Sequence, residues 1–106
     1  MADAINVFKS RRSCKNYTRK QVSDEVLEAI LEAGKHAPSG MNRQSAIMLV
    51  ARDKELVKKL SHMNAQVMGA DTDPFYGAST VVIVLADKNI PTYIYDGSLV
   101  MGNLLN

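Results

Sequence analysis

The run Ser79–Ala86 constrains the fold more than any other part of the sequence. Its residues are apolar and β-branched almost throughout, with no charge and no glycine or proline to interrupt them. Such a run is typical of a β-strand that is covered on both faces and lies at the centre of a sheet. A central strand needs a neighbour along each edge. The chain is therefore expected to build, or to join, a sheet of several strands.

Periodicity and capping signals predict the elements around this strand. Ser23 is a good N-cap for a helix that ends at residues 36–38. Asp53 caps another helix that ends near Gly69, and the short apolar run 46–51 predicts a second buried strand. The full prediction is helix Asp3–Arg11 with Asp3 as its cap, helix Ser23–His36, strand Ala46–Ala51, helix Asp53–Gly69 with Leu56, Val57, Leu60, Met63 and Val67 on its apolar face, strand Ser79–Ala86, and a buried, closely packed helix from Thr92 onward.

This order predicts an α/β (α+β) fold in which helices pack on a mixed sheet. A chain of 106 residues suffices for one domain, 1–106, with a modest core. Two strands alone make a marginal sheet. The last helix shows no glycine or proline stop signal before Asn106, and its apolar face continues at Leu104 and Leu105. The fold is therefore expected to be incomplete, with further strands supplied by missing sequence or by another chain.

Composition argues against several classes of protein. Cys14 is the only cysteine, so no intrachain disulfide can form, and a cytoplasmic location is expected. The N-terminus does not read as a signal peptide, and the longest apolar run is too short to cross a bilayer, so no membrane role is predicted. His36 and His62 have no other ligand at metal-binding spacing, which predicts no metal site.

Positive charge is concentrated near the N-terminus. Six lysines and arginines lie between residues 9 and 20, and no Asp or Glu occurs between Ala4 and Ser23. Within this stretch, residues 11–15 (Arg-Arg-Ser-Cys-Lys) offer guanidinium, hydroxyl and ammonium groups that suit the oxygens of a phosphate. The same residues would also serve as a solvated helix end, where cations complement the helix dipole. Spacing alone favours the helix end.

Two further features carry polar groups that can meet a ligand. The turn Pro38–Gln44 either presents amides and a hydroxyl to a planar polar ligand or simply connects a helix to a strand. Asn64 either points its amide at a ligand or lies at the edge of a polar helix face. Taken alone, each feature favours the interpretation without a ligand. Cys14 has no base beside it, so no catalytic nucleophile is predicted.

Four motifs in order resemble the FMN-dependent nitroreductase family. They are Arg-Arg-Ser-x-Lys at 11–15, Val22–Glu25 opening a helix, Ala37–Gln44, and Phe75–Ala78 before the apolar strand. The likeness continues to Asn103–Leu105, which resembles the start of the long central helix of the family. It therefore covers essentially the whole chain and corresponds to the N-terminal part of the family fold.

The resemblance implies a homodimer with FMN at the subunit interface. NADH or NADPH would reduce the flavin, which would pass electrons to a nitroaromatic, a quinone or a similar small-molecule acceptor. Arg11, Arg12 and Ser13 would hold the phosphate and ribityl end. Lys15 would lie near the polar edge of the isoalloxazine, and Asn64 would match a family residue that hydrogen-bonds the ring. The residues that would approach from the other subunit are Pro38, Ser39, Gly40 and Asn42.

Other functions remain open because the second half of the family fold is absent, and because Ser45 follows Gln44 where many members have proline. One alternative is a truncated nitroreductase-like protein without activity, which acts as an oligomeric or interaction module through the helix after Thr92. Another is a small nucleic-acid binder that uses the basic stretch. Tyr17 is the only aromatic residue in that stretch and no known module matches, so no nucleic-acid partner is predicted.

Overall fold

The computed structural model describes residues 2–106 and confirms the predicted fold class and order of elements. The elements are α1 (Ala2–Ser10), α2 (Asp24–Lys35), a 3-10 turn (Gly40–Asn42), β1 (Ala46–Ala51), α3 (Lys54–Met68), β2 (Val81–Ala86) and α4 (Tyr93–Leu105). The two strands pair in an antiparallel sheet, which begins where Asp87 N donates to Ser45 O over 2.9 Å.

Local capping signals account for the bounds of α2 and α3. The side-chain oxygens of Ser23 and Asp53 accept hydrogen bonds from the backbone N–H three residues later, over 3.2 and 3.0 Å. Gly69 ends α3 with a φ of 68°, a left-handed conformation that glycine adopts without a Cβ clash. These predictions are confirmed. Asp3 was predicted as a cap but lies inside the first turn of α1, because the helix begins one residue before it.

The residues group into two compact units. The first comprises the chain up to Ser13 together with Ser23–Leu49 and Val84–Asn106, and the second comprises Cys14–Val22 and Val50–Ile83. The single domain expected from the chain length stays a prediction.

In the first unit, α2 packs against α4. A Cβ built on the buried Gly34 would lie 2.7 Å from Met48 Sδ and 2.9 Å from Leu104 Cδ2. The missing side chain therefore lets α2, β1 and α4 approach one another closely. Asn103 Nδ2 donates to Ala33 O over 2.8 Å and joins the two helices by a hydrogen bond as well.

In the second unit, Gln21 ties an irregular segment to the chain around it. Its Nε2 donates to Ser79 O over 2.9 Å and to Arg52 O over 3.3 Å. Its Oε1 accepts a hydrogen bond from Thr80 Oγ1 over 2.6 Å. Arg52 Nη2 donates in turn to Val22 O over 2.7 Å. Three of these bonds engage backbone carbonyl groups of residues that lie outside the helices and strands.

The strands and α4 are less covered than predicted. In β1 only the last residue, Ala51, is buried, while Ile47 is 57% exposed. β2 has one neighbouring strand within residues 2–106, so it is not central; five of its six residues are half-buried and Leu85 is exposed. In α4 the only buried residue is Asp96. The predicted face of α3 is also partly wrong, since Val57 and Ala65 are buried whereas Leu56, Met63 and Val67 are exposed.

A carboxylate holds the loop before β2. Asp73 Oδ1 accepts hydrogen bonds from Ser61 Oγ over 2.6 Å and from Phe75 N over 2.9 Å. The other oxygen, Oδ2, accepts one from Gly77 N over 2.8 Å. These donors, the Ser61 hydroxyl first, lower the pKa of the Asp73 carboxyl because they stabilise its charged form.

We expect Asp73→Asn to destabilise the protein at neutral pH more than in acid. A carboxyl whose pKa is lowered on folding stabilises the folded state above its unfolded pKa of about 3.9, and that contribution is lost as the pH falls through the folded-state value. Urea unfolding of both proteins at neutral pH and in steps into acid should show a difference that shrinks as the pH falls.

Asp71→Asn is the matched control, because no hydrogen bond of the Asp71 side chain is seen within residues 2–106. It removes a carboxyl from the same loop and should leave the free energy of unfolding nearly unchanged. A difference between Asp73→Asn and wild type that stayed constant across the whole pH range would contradict the assignment to the charged carboxylate.

Candidate functional site

The basic segment follows directly from α1. The helix ends at Ser10, and residues 11–20 form no regular secondary structure. The Arg12 guanidinium turns back, so that its Nη1 donates to Lys9 O over 3.0 Å and to Arg11 O over 2.8 Å. The last carbonyls of a helix lack partners within the helix and carry partial negative charge. Arg12 therefore completes the end of α1, as the helix-end interpretation of this segment predicts.

Arg11, Arg12 and Ser13 are nevertheless exposed. A guanidinium has five N–H donors, and the contacts of Arg12 engage only Nη1. For the Arg11 guanidinium and the Ser13 hydroxyl, no hydrogen bond is seen in the described part of the chain. These groups can therefore turn toward an anion without breaking any buried contact.

The turn between α2 and β1 has a defined and strained backbone. Met41, Asn42 and Gln44 have φ values of 52°, 54° and 52°, a left-handed region that costs a non-glycine residue roughly 1–2 kcal/mol. Gln44 N donates to Ser39 Oγ over 3.0 Å, and Gln44 Nε2 donates to Asn42 Oδ1 over 3.1 Å. Side chains of the turn thus hold its own backbone in this shape.

A buried carboxylate anchors the turn from α4. Asp96 is 2% exposed, and its Oδ1 accepts a hydrogen bond from Gly40 N over 2.9 Å. Its Oδ2 accepts hydrogen bonds from Ser45 Oγ over 2.6 Å and from Thr92 Oγ1 over 3.0 Å. These donors, the Ser45 hydroxyl first, lower the pKa of the Asp96 carboxyl, although burial alone would raise it.

Asp96 is missing from the residues that the sequence predicted. One signal was present, because it is the only acidic residue in an otherwise apolar helix pattern, and a buried charge requires polar partners. Two of its partners lie 56 and 51 positions earlier in the chain. Helical periodicity carries no information about such distant contacts.

Gly40 is packed directly against the start of α4. A Cβ built on Gly40 would lie 2.8 Å from Thr92 Cβ and closer still to the other side-chain atoms of Thr92. The turn can therefore reach α4 only if this position has no side chain. The resemblance assigned Gly40 to a cofactor, but packing gives a sufficient reason for glycine here.

The structure divides the predicted site residues between the two units. Lys15 is exposed in the irregular part of the second unit, and Asn64 is exposed on α3, beside the buried Ala65. The first unit contains the remaining residues, which are Arg11, Arg12, Ser13, Pro38, Ser39, Gly40 and Asn42. Their roles toward a cofactor stay predictions.

Residues 2–106 contain neither a metal-binding cluster nor a membrane-spanning helix. No group of three or more His, Cys, Asp or Glu side chains in this range is arranged to hold a metal ion. None of the helices described has the length and apolar character that a membrane span requires.

Known proteins resemble the chain over most of its length. A sequence profile described as the Nitroreductase family matches residues 8–77. A protein of Archaeoglobus fulgidus, named as a candidate NADH dehydrogenase/NAD(P)H nitroreductase, is 36% identical over 96 residues, which cover 91% of this chain and 52% of that protein. An FMN reductase (NAD(P)H) of Bacillus subtilis is 33% identical over 76 residues, or 72% of this chain and 30% of that protein.

The fold is similar to solved structures as well. A nitroreductase with bound FMN from Desulfitobacterium hafniense superposes with a TM-score of 0.87 at 28% identity, covering 99% of this chain and 63% of that one. The chain spans about half the length of the Archaeoglobus relative.

The contact between Gly40 and Thr92 predicts the effect of added volume. Gly40→Ala should lower the free energy of unfolding by about 1–3 kcal/mol, because the new methyl group forces the turn away from α4. Gly102→Ala is the control, since a Cβ at Gly102 meets nothing within 4 Å. It should stabilise α4 by roughly 0.5–1 kcal/mol through helix propensity. Urea unfolding measures both, and equal stabilities of the two variants would contradict the close contact.

Proposed function

The chain belongs to the nitroreductase family, and we propose that it forms the flavin-binding part of an FMN-dependent oxidoreductase. The electron donor is NADH or NADPH, and the acceptor is a nitroaromatic, a quinone or a similar small molecule. A relative and a solved neighbour whose names include FMN support this proposal. When bound, FMN supplies the redox chemistry, while the protein binds and orients it.

The observation that carries the proposal is the set of exposed donors at residues 11–13. Two guanidinium groups offer paired N–H donors to phosphate oxygens, and the Ser13 hydroxyl adds a third donor group. No Asp or Glu between Ala4 and Ser23 competes for them. This donor set fits the phosphate of FMN, so we assign Arg11, Arg12 and Ser13 to it.

The turn before β1 supplies donors of a different kind. Asn42 Oδ1 already accepts a hydrogen bond, which leaves the NH₂ group of this amide to donate to a flavin carbonyl or ring nitrogen. The Ser39 hydroxyl accepts from Gln44 N and keeps its own proton for donation. The backbone N–H of Gly40 is taken by Asp96. We therefore propose that the turn contacts the flavin through side-chain groups, with Pro38 adding an apolar surface.

Lys15 and Asn64 complete the proposed set. The Lys15 ammonium would stabilise negative charge on the reduced ring, and the Asn64 amide would hydrogen-bond the ring edge. The proposal also includes a homodimer in the cytoplasm. The apolar side chains exposed on α4 support the dimer, since Ile94, Tyr95 and Leu105 are 60%, 70% and 61% exposed.

A second candidate is an interaction module without activity. The same apolar exposure on α4 favours it. The two candidates differ in one property, because the module binds no flavin.

Titration with FMN, followed by flavin fluorescence, tests the proposal. We expect saturable binding, and NADH or NADPH should then bleach the yellow colour in the absence of oxygen. Arg11→Ala should lower the FMN affinity roughly 10- to 100-fold, because a hydrogen bond to a charged group contributes about 1.5–3 kcal/mol. Riboflavin lacks the phosphate, so Arg11→Ala should leave its affinity unchanged.

Lys20→Ala controls for general electrostatics, since it removes one positive charge from the same basic stretch outside the assigned residues. It should leave the FMN affinity close to that of wild type. Wild-type protein that takes up no FMN would contradict the flavin proposal and favour the module. If Arg11→Ala lost FMN and riboflavin affinity equally, the assignment of Arg11 to the phosphate would be wrong.

A further inference from the structure

We propose that Asp96 is a positioning residue for the cofactor, which holds the turn 39–44 in the shape that presents Ser39 and Asn42. The inference rests on the proposed FMN binding. Asp96 itself is buried on α4 and is not proposed to touch the flavin. It acts through the turn.

The turn 39–44 needs an anchor. Met41, Asn42 and Gln44 all have left-handed backbones, and such residues persist only where the surrounding structure holds them. The bonds from Gln44 to Ser39 and Asn42 are internal to the turn. Among the hydrogen bonds of residues 2–106, the one that joins the turn to another element runs from Gly40 N to Asp96.

Asp96 holds both sides of the turn. Gly40 lies near its beginning and donates to Oδ1, while Ser45 lies directly after it and donates to Oδ2. The two oxygens of one carboxylate are fixed relative to each other, so they fix the distance between these two donors. Asn42 lies between Gly40 and Ser45, the two residues that Asp96 holds. The position of the Asn42 side chain therefore depends on Asp96.

Thr92, which directly precedes α4, fixes the carboxylate itself. Thr92 lies four residues earlier and donates to Oδ2 over 3.0 Å, a bond that does not involve the turn. The side chain is 2% exposed, and no cation pairs with it in the described part of the chain. A carboxylate only accepts hydrogen bonds, and three donors converge on it. An asparagine at this position keeps the shape but replaces one acceptor with an NH₂ donor.

The test compares Asp96→Asn with Thr92→Val. Asp96→Asn should lower the FMN affinity roughly tenfold, because it weakens charge-assisted bonds to both ends of the turn. Thr92→Val keeps the shape packed against Gly40 and removes one bond to the carboxylate but none to the turn, so its loss of FMN affinity should be smaller than that of Asp96→Asn. Circular dichroism and urea unfolding establish that both variants are folded during the titration.

A double-mutant cycle separates positioning from general destabilisation. If Asp96 acts through the turn, Asp96→Asn should cost much less affinity in an Asn42→Ala background, where the positioned amide is already gone. In an Arg11→Ala background, Asp96→Asn should lower the FMN affinity by the same factor as in wild type, because the phosphate contact of Arg11 does not depend on the turn. Equal costs of Asp96→Asn in both backgrounds would overturn the inference.

The outcomes distinguish the inference from the proposed function. Wild-type protein without FMN binding overturns both. If wild type and Asp96→Asn bind FMN with the same affinity, only the proposed role of Asp96 is overturned. Should Asp96→Asn fail to fold, Ser45→Ala replaces it, since it removes the donor after the turn and should give a smaller loss of FMN affinity. An unchanged FMN affinity in Ser45→Ala would overturn the proposed role of Asp96.

Discussion

One buried carboxylate sets the local geometry of the first unit. A charge that is 2% exposed is tolerated only when hydrogen bonds replace its lost hydration. Asp96 obtains them from the turn, from the residue before β1 and from Thr92, which directly precedes α4. Ser45, which donates one of them, also accepts the backbone bond from Asp87 beside β2. The start of the sheet and the turn before it are therefore positioned by the same side chain.

Few apolar side chains are buried within residues 2–106. The buried apolar residues described are Leu27, Ala51, Val57 and Ala65, and two of these four are alanines. Larger side chains on β1 and α4, such as Ile47 and Ile94, are more than half exposed. Each would contribute about 1.5–3 kcal/mol if it were fully covered. The polar contacts around Asp96, Asp73 and Gln21 therefore matter more here than they would in a domain with a large core.

Prediction from the sequence succeeded where the interacting residues lie within a few positions of each other. The caps at Ser23 and Asp53 and the stop at Gly69 act within one helical turn, so a short window contains both partners. Burial is different, because the side of α3 that is covered depends on its neighbours, and periodicity cannot identify them. The contacts of Asp96 span more than fifty positions. For the candidate site, family motifs indicated which residues to consider, but not that packing against Thr92 explains Gly40.

The two parts of the proposed flavin site differ in how far they are organised without a ligand. The turn at 39–44 is held by bonds within itself and by Asp96, so its polar groups need little rearrangement to bind. The Arg12 guanidinium instead contacts the carbonyls at the end of α1. Both ends of these contacts are exposed to water, and exchanging them for a phosphate costs little. Ordering a flexible arginine costs about 0.5–1.5 kcal/mol of side-chain freedom. Discrimination among flavins by shape should therefore reside in the turn, whereas the basic segment contributes attraction for any phosphate-bearing ligand.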